Sequence, residues 1–384
     1  MSMDELKFLR DEIDVIDRQI AALFQQRMDV TYRVGQYKVR NNMNVLDETR
    51  EKEVLAAKAA LSDNPAMQAA LTTLFESIMS ISRQQQRKLV EENDIWFDRY
   101  LADRSQIRSP LPNPRVLYQG EPGAYADEAA AMFFGEAAPR DKVRTWEEIF
   151  LALKEGHADY GVLPIENSST GAINQVYDLL ARYGAYIVGE QIVKVDHCLM
   201  APKGAGLDSI TDVYSHEQGL SQCEDFLKVK PWQRHAMLNT AAAAKYVAQT
   251  GDATHAAIGS KRAAALYGLD ILAESINFND SNYTRFVVVS PVMEHREGAD
   301  KISALFTLPH KSGTLHRIMS VFAVAGLNMM KLESRPVTGR NWEYLFFVDF
   351  SGDLDEDGMT SVIRELTQTA SGFRVLGNYK ACGD

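Results

Sequence analysis

Apolar residues near the start of the chain recur at Leu6, Leu9, Ile13, Ile16, Ile20 and Leu23, alternately three and four positions apart, and again at Val30 and Val34. This heptad spacing predicts one uninterrupted helix from Asp4 to Arg40, roughly 55 Å long at about 1.5 Å per residue. Position 27 of the seam is arginine. A helix of this length cannot bury its seam against a small monomer, so a helical dimer is expected. A second, short helix carries Asp47, Arg50 and Glu51 in its first turn, and a third runs from Pro65 to about Glu91 with the stripe Leu71, Leu74, Phe75 and Ile78. The stripe passes into Ser82 and Gln86, polar residues on an apolar face at i, i+4 spacing.

The pattern then changes. Residues 93–114 end in RSPLPNP, which cannot continue a helix and reads as a stiff linker. Beyond it, strand, turn and helix alternate: VLYQG before EPGAYADEAAAMFF, DYGVLPIEN before SSTGAINQVYDLLARYG, VYSHEQG before LSQCEDFL, HAMLNT before AAAAKYVAQ, AAIGS before KRAAALYGL. This predicts an α/β domain with mostly parallel strands. The last eighty residues read KISALFTL (strand), SGTLHRIMSVFAVAG (helix), LNMMKLESRPV and WEYLFFVDFSG (strands joined by the turn TGRN), DEDGMTSVIRELTQTA (helix) and FRVLGNYK (strand). That βαββαβ order is the ferredoxin-like arrangement.

Composition sharpens the boundary. Of 24 Gly among 384 residues, only Gly35 lies in the first hundred, and of 12 Pro only Pro65. The first quarter is therefore helix with few turns. A net charge of -11 excludes a nucleic-acid binder, which needs a basic face. No apolar run spans a bilayer, and the start MSMDELKFLRDEID is too charged for a signal peptide. Cys198, Cys223 and Cys382 show neither zinc spacing nor a disulfide framework, so a reducing cytoplasm is expected; there is no phosphate-loop or dinucleotide glycine pattern either, and no metal and no cofactor are expected.

The polar residues on apolar faces carry the candidate chemistry. Arg27 and Lys38 are 11 residues apart, about 1100° of helix, and point within about 20° of each other; Arg10 lies about 100° away from that direction. Arg10 is therefore expected to serve the pocket of a partner chain. Taken singly, Arg27 reads as snorkelling or paired with a glutamate, and Ser82 and Gln86 as a fraying helix end. Jointly they describe a polar pocket inside a helix bundle. In the α/β region, small and polar residues sit where strand ends meet helix starts, which favour anions: Gly120, Gly123, Glu166 to Ser169, Ser215, Gln222 and Thr240. Each Ser or Thr alone reads as a helix N-cap. His197 and His216 lack partners at metal spacing and read as core or hydrogen-bonded histidines.

Residues 1–92 resemble the all-helical chorismate mutase family. The match rests on Arg10, Arg27 in QQRMDVTYRVGQYK, Lys38, Asp47 with Arg50 and Glu51 in VLDETREKE, and Ser82 and Gln86 in SISRQQQ. The resemblance implies a pericyclic rearrangement of chorismate to prephenate. In it, Arg27 and a partner's Arg10 meet the carboxylates, Lys38 and Gln86 donate to the ether oxygen, Asp47 and Glu51 hold the hydroxyl side, and Ser82 lies near a carboxylate. Arg50 belongs to the same set.

Residues 115–292 resemble prephenate dehydratase through PIENSSTGAI, VYSHEQGLSQC, NTAAAA and NYTRF, departing from its pattern at Ala126 and Glu217. This implies two α/β lobes around a cleft, like a periplasmic binding protein. Thr284 would donate to the departing hydroxyl of prephenate. Glu166, Asn167, Ser168, Ser215, Gln222, Arg285 and Phe286 would surround the substrate, with Arg285 also expected in structural ion pairs.

Residues 300–384 resemble an ACT regulatory domain through SGTLHRI and LESRP, with Thr314 and His316 departing from the commoner pattern. This implies an L-phenylalanine site at Gly313, Thr314, Leu315, Glu333, Ser334, Arg335 and Pro336. The whole then reads as a homo-oligomeric, at least dimeric, bifunctional enzyme under feedback control. The alternatives are a binding protein that has lost catalysis, which lacks support from a basic helix-turn-helix, and an enzyme with one surviving activity or with arogenate as substrate.

Overall fold

The computed structural model describes residues 3–41, 43, 45–87, 89, 106–279, 281–308, 313–336 and 343–383. The heptad segment is a single helix, α1 (Met3–Arg40). Asp47 accepts a hydrogen bond from the Arg50 backbone N–H at 2.9 Å and so starts α2 (Glu48–Ala59). The third helix, α3 (Pro65–Arg87), packs against both; its expected last residue, Glu91, lies outside the described residues. Within one chain the seam is uncovered: Ile13 is 54%, Ile16 53% and Leu23 64% exposed. Helix α1 meets α3 at Gly35, where a Cβ would come within 2.9 Å of Gln86 Cγ. The one glycine of this region thus lies where two helices approach most closely.

Residues 93–105 of the expected linker lie outside the described residues. Arg108 then ties the incoming chain down, donating from Nε to Glu294 at 3.2 Å and from Nη2 to Ser290 at 3.1 Å. Two lobes follow. The first holds β1 (Val116–Gln119), β2 (Arg140–Val143), β3 (Tyr160–Asn167), β5 (Tyr186–Lys194) and β11 (Tyr283–Ser290) in the order β2-β1-β3-β11-β5, with the short β4 (Gly171–Ala172) on β3. The second holds β6 (Cys198–Ala201), β7 (Asp212–His216), β8 (Gln233–Met237), β9 (His255–Gly259) and β10 (Asp270–Ala273) in the order β10-β6-β9-β7-β8.

The expectation of mostly parallel strands is corrected here. Strand β1 runs parallel to β2 and β3, and β7 to β8 and β9, but β11 is antiparallel to both its neighbours, and β6 to both of its own. The chain leaves the first lobe after β5 and comes back to it as β11, so the returning strand enters from the opposite end. Between strands come α4 (Tyr125–Phe134), α5 (Trp146–Lys154), α6 (Asn174–Tyr183), α7 (Glu217–Gln222), α8 (Glu224–Leu227), α9 (Thr240–Thr250) and α10 (Lys261–Tyr267). Across the lobes Arg262 pairs with Asp127 at 3.2 Å, Lys245 with Glu121 at 2.8 Å, and Ser260 Oγ donates to the Gly123 carbonyl at 2.9 Å.

The C-terminal unit is β12 (Lys301–Leu308), α11 (Thr314–Val324), β13 (Met329–Pro336), β14 (Tyr344–Ser351), α12 (Met359–Thr369) and β15 (Ser371–Tyr379), an antiparallel sheet in the order β13-β14-β12-β15. The expected turn TGRN, 338–341, lies outside the described residues. One sheet face packs Ile302, Phe306, Val348 and Phe350 under the two helices. The other sends Leu305, Phe347, Leu376 and Tyr379 into the core of the first lobe, against Ile187, Val287 and Val289. There Gly377 passes so near β5 that a Cβ would lie 1.8 Å from the Ile187 carbonyl oxygen, so only glycine fits. Sheet and lobe therefore share one core. Helices α11 and α12 in turn carry α3 of the helical unit. Among the described residues no helix is long and apolar enough to cross a membrane.

Candidate functional sites

Between the lobes lies a cleft of about 400 Å³ lined by Thr284, Phe286, Asn167, Gln222, His197 and Asn239, among others. Its centre is Thr284, on β11 opposite Asn167 of β3. The Asn167 amide is oriented by its own oxygen, which accepts from the backbone N–H groups of Ser169 at 3.0 Å and Thr170 at 3.1 Å. Its nitrogen must then face the other way, and Nδ2 donates to Thr284 Oγ1 at 2.9 Å and to Asn282 Oδ1 at 2.8 Å. The Thr284 oxygen thus accepts from the protein while its own proton is left to be given to a ligand.

On the second lobe's side, His197 Nε2 lies 2.9 Å from Gln222 Oε1 and Nδ1 lies 3.2 Å from the Tyr125 hydroxyl. Burial holds the His197 imidazole below its usual range, and burial likewise pushes Tyr125 well up, so both are neutral at pH 7. None of the lining residues is Lys or Arg. Positive potential comes instead from helix starts. Ala124 and Tyr125 at the head of α4, Ile173 at that of α6, and Asn239 and Thr240 at that of α9 all line the cleft. The first two helices have no side-chain cap, so their leading N–H groups are open to an anion.

A second constellation lies in the helical unit. Arg27 Nη1 donates to Ser82 Oγ at 2.7 Å. Lys38 Nζ donates to the Val45 carbonyl at 2.6 Å, and burial lowers its affinity for a proton while nearby Asp47 and Glu51 raise it. Gln86 is buried, and its Oε1 has no protein partner. Glu51 pairs with Arg83. Arg10 stands on the exposed first half of α1, about 26 Å along the helix from Arg27. Arg50 is exposed in the single chain and pairs with Glu53 at 3.1 Å, one turn along the same helix.

Family models place these two constellations in two families: chorismate mutase type II matches residues 9–87, and prephenate dehydratase residues 116–294. A bifunctional chorismate mutase/prephenate dehydratase of Escherichia coli strain K12 is 32% identical over 386 residues, spanning 98% of this chain and 97% of that protein. The chain belongs to the bifunctional chorismate mutase/prephenate dehydratase family. Arogenate dehydratase 3, chloroplastic, of Arabidopsis thaliana is 38% identical over 297 residues, 71% of this chain and 69% of that protein. The crystal structure of a prephenate dehydratase in complex with L-Phe from Arthrobacter aurescens matches with a TM-score of 0.63 and 28% identity, covering 69% of this chain and 89% of that one.

Within the dehydratase, several expected cleft residues lie elsewhere. Side chains alternate along a strand, so Glu166 and Arg285, next to Asn167 and Thr284, face away from the cleft. Arg285 pairs there with Asp349 at 2.8 Å, Glu190 at 3.1 Å and Glu166 at 3.3 Å, and Lys331 reaches Glu166 at 2.8 Å. Ser168 accepts from the Tyr283 N–H and donates to the Ser281 carbonyl, both at 2.9 Å. Ser215 is buried and donates to the Ile258 carbonyl at 2.8 Å. Tyr125, Gln218 and Asn239 were not foreseen as cleft residues, and His197 and His216 line it as well. Of these, only Asn239 carried a legible signal, as the cap before TAAAA.

The candidate effector residues divide. Leu332 pairs with Val348 and Ser334 with Phe346, whose side chains belong to the helix-covered face, whereas Glu333 pairs with Phe347 and Arg335 with Leu345, which face the dehydratase. Arg335 accordingly pairs with Asp178 of α6 at 2.9 Å, a contact between the C-terminal unit and the first lobe, and Glu333 points the same way. Gly313, in the left-handed region at φ 81°, precedes α11, which has no side-chain cap, and Leu315, Ser334 and Pro336 are exposed nearby in the fold.

Replacing the Asn167 amide by a carboxylate turns a donor into an acceptor and draws the Thr284 proton back toward the protein. Asn167→Asp should lower dehydratase kcat about 10²–10³-fold with mutase turnover unchanged, measured by supplying prephenate and chorismate separately. Retention of a third or more of the dehydratase rate would refute this arrangement.

Proposed function

We propose that Thr284 gives its proton to the departing ring hydroxyl of prephenate while the ring carboxylate leaves as carbon dioxide and its bonding electrons enter the ring, so that water, carbon dioxide and phenylpyruvate result. A threonine hydroxyl is a weak acid, and the charge that develops on Oγ1 needs a donor already aimed at it. The observation that carries this reading is the Asn167 amide 2.9 Å from Thr284 Oγ1, oriented by two backbone N–H groups. The substrate's carboxylates would rest on the starts of α4, α6 and α9, each worth about half a positive charge, beside His197 and Gln222. The plant relative supports a second reading, arogenate in place of prephenate; comparing rates on the two substrates discriminates between them.

The mutase step needs no acid, base or metal, only a compact conformer and stabilisation of negative charge on the breaking ether oxygen. Arg27 and Ser82 would hold one carboxylate, Lys38 and Gln86 the ether oxygen, and Glu51 with Asp47 the hydroxyl. The Arg27–Ser82 contact and the burial of Gln86 support this grouping. Arg10 lies too far along α1 to join its own chain's group, so it would complete the site of a second copy. The exposed seam Ile13, Ile16, Ile20 and Leu23 supports that homodimer.

The chain is best divided as mutase 1–92, linker 93–114, dehydratase 115–292 and regulatory domain 300–384. L-Phenylalanine would bind at the start of α11 against the uncovered face of β13, a reading supported by the relative crystallised with L-Phe. The three free cysteines accord with a cytoplasmic setting.

Arg27→Ala should lower mutase turnover about 10²–10³-fold and spare the dehydratase, while Thr284→Ala should do the reverse; equal loss of both activities in either variant would sink the two-site reading. Ile16→Asp should convert the dimer to monomer in sedimentation and abolish mutase turnover alone, and a fully dimeric, active variant would count against the shared seam. Titrating L-phenylalanine to the millimolar range should weaken prephenate binding by a factor within about 5–150; an unchanged dehydratase rate would remove the feedback assignment.

A further inference from the structure

Arg83 has no place in the mutase pattern, yet it sits on α3 between Ser82 and Gln86. One residue turns an α-helix by about 100°, so while Ser82 meets Arg27 of α1, Arg83 faces α2 and the C-terminal helices. Its side chain is 10% exposed and its guanidinium joins carboxylates from opposite ends of the sequence. Nη1 donates to Glu51 Oε1 of α2, and Nε donates to Glu365 Oε1 of α12 at 3.0 Å. Glu365 has no exposed surface at all.

A carboxylate removed from water is tolerable as an anion only beside positive charge and hydrogen-bond donors, so Glu365 holds the guanidinium firmly on its side. Held there through Nε, Arg83 meets Glu51 through Nη1 on a single oxygen. A guanidinium free of Glu365 would close on Glu51 as a two-pronged fork, the geometry this pair prefers, and take up both oxygens. Such a fork would draw the Glu51 carboxylate toward Arg83 and re-aim the lone pairs that remain for a ligand on the side of Lys38.

We propose that Arg83 is a positioning residue for the mutase reaction: anchored by Glu365 of the C-terminal domain, it fixes where the Glu51 carboxylate stands for chorismate, so mutase turnover depends on how α12 is seated against α3. The proposal rests on the mutase reading of the helical unit. It makes the mutase site answer to the C-terminal domain through a salt bridge, with no contact between α12 and substrate.

The test uses the full chain. Glu365→Gln and Arg83→Gln should each lower mutase kcat/KM for chorismate about tenfold, the scale of a misplaced binding group, while the dehydratase rate on supplied prephenate, which reports folding of the C-terminal core, stays within twofold. In a Glu51→Gln background, Glu365→Gln should cause no further loss, because its route to the site has gone. The proposal is overturned if Glu365→Gln leaves mutase kcat/KM within twofold of wild type, if the loss persists undiminished in the Glu51→Gln background, or if both activities fall together. Absence of mutase turnover in the wild-type chain would overturn instead the reading on which the proposal rests.

Discussion

The buried cation Arg285 is what the arrangement of the dehydratase and its C-terminal sheet depends on. It lies among Glu166 and Glu190 of the first lobe and Asp349 of β14, with Lys301 and Lys331 completing the group. Three carboxylates meet three cations, so the cluster is neutral, and its surroundings keep Arg285 charged. Removing one partner from such a cluster typically costs about 3–5 kcal/mol because charges are left buried without compensation. The strand carrying Arg285 also carries Thr284, and strand alternation sends the two to opposite faces. Thr284, the proposed proton donor of the cleft, and the joint to the C-terminal sheet are therefore neighbours on one strand. Any displacement of β14 against the lobe acts on the residue next to Thr284.

The protein is acidic overall, yet both substrates are small dianions, and its two domains meet that difficulty differently. A helix bundle presents only helix sides to its interior, so positive charge must arrive on long side chains, a part proposed for Arg27 and Lys38, both of which burial desolvates. An α/β cleft collects helix starts at the ends of its strands and can offer backbone N–H groups instead. The absence of Lys and Arg among the residues lining the dehydratase cleft follows from that difference. It leaves the site uncrowded by flexible cations while carbon dioxide and water depart.

The helical unit was legible because a heptad seam interrupted by Arg27 leaves a periodic trace, and because glycine nearly vanishes before residue 101. The βαββαβ order was legible for the same reason, each element having its own period. Thr284 and Asn167 were legible only through the segments that contain them. What failed was the face: PIENS read as a continuous strip of site, whereas Glu166 points the other way, toward the ion pairs that were expected of Arg285, and LESRP divides likewise between Ser334 and Arg335. Ser168 and Ser215 were lost to local backbone partners that no spacing reveals. The antiparallel return of β11 was missed because the order of elements does not show that the chain leaves a lobe and comes back.

Among the described residues, the α1 seam and the β13 edge with Met330 and Leu332 are apolar surfaces left exposed in a single chain. If copies of the same chain cover both through isologous contacts, each contact is self-complementary and centred on a two-fold axis. A dimer has one such axis, so both contacts can form within one pair only if the seam and β13 are symmetric about the same line. Otherwise the two contacts join different pairs, and two crossing axes close a tetramer. Helix α3 bears on this choice, because it packs against α1 on one side and rests on α11 and α12 on the other. The direction of the seam is thereby tied to that of the C-terminal sheet, and a shift of α12 that loosened Arg83 would also tilt one axis against the other. Assembly and mutase geometry would then change through the same contact.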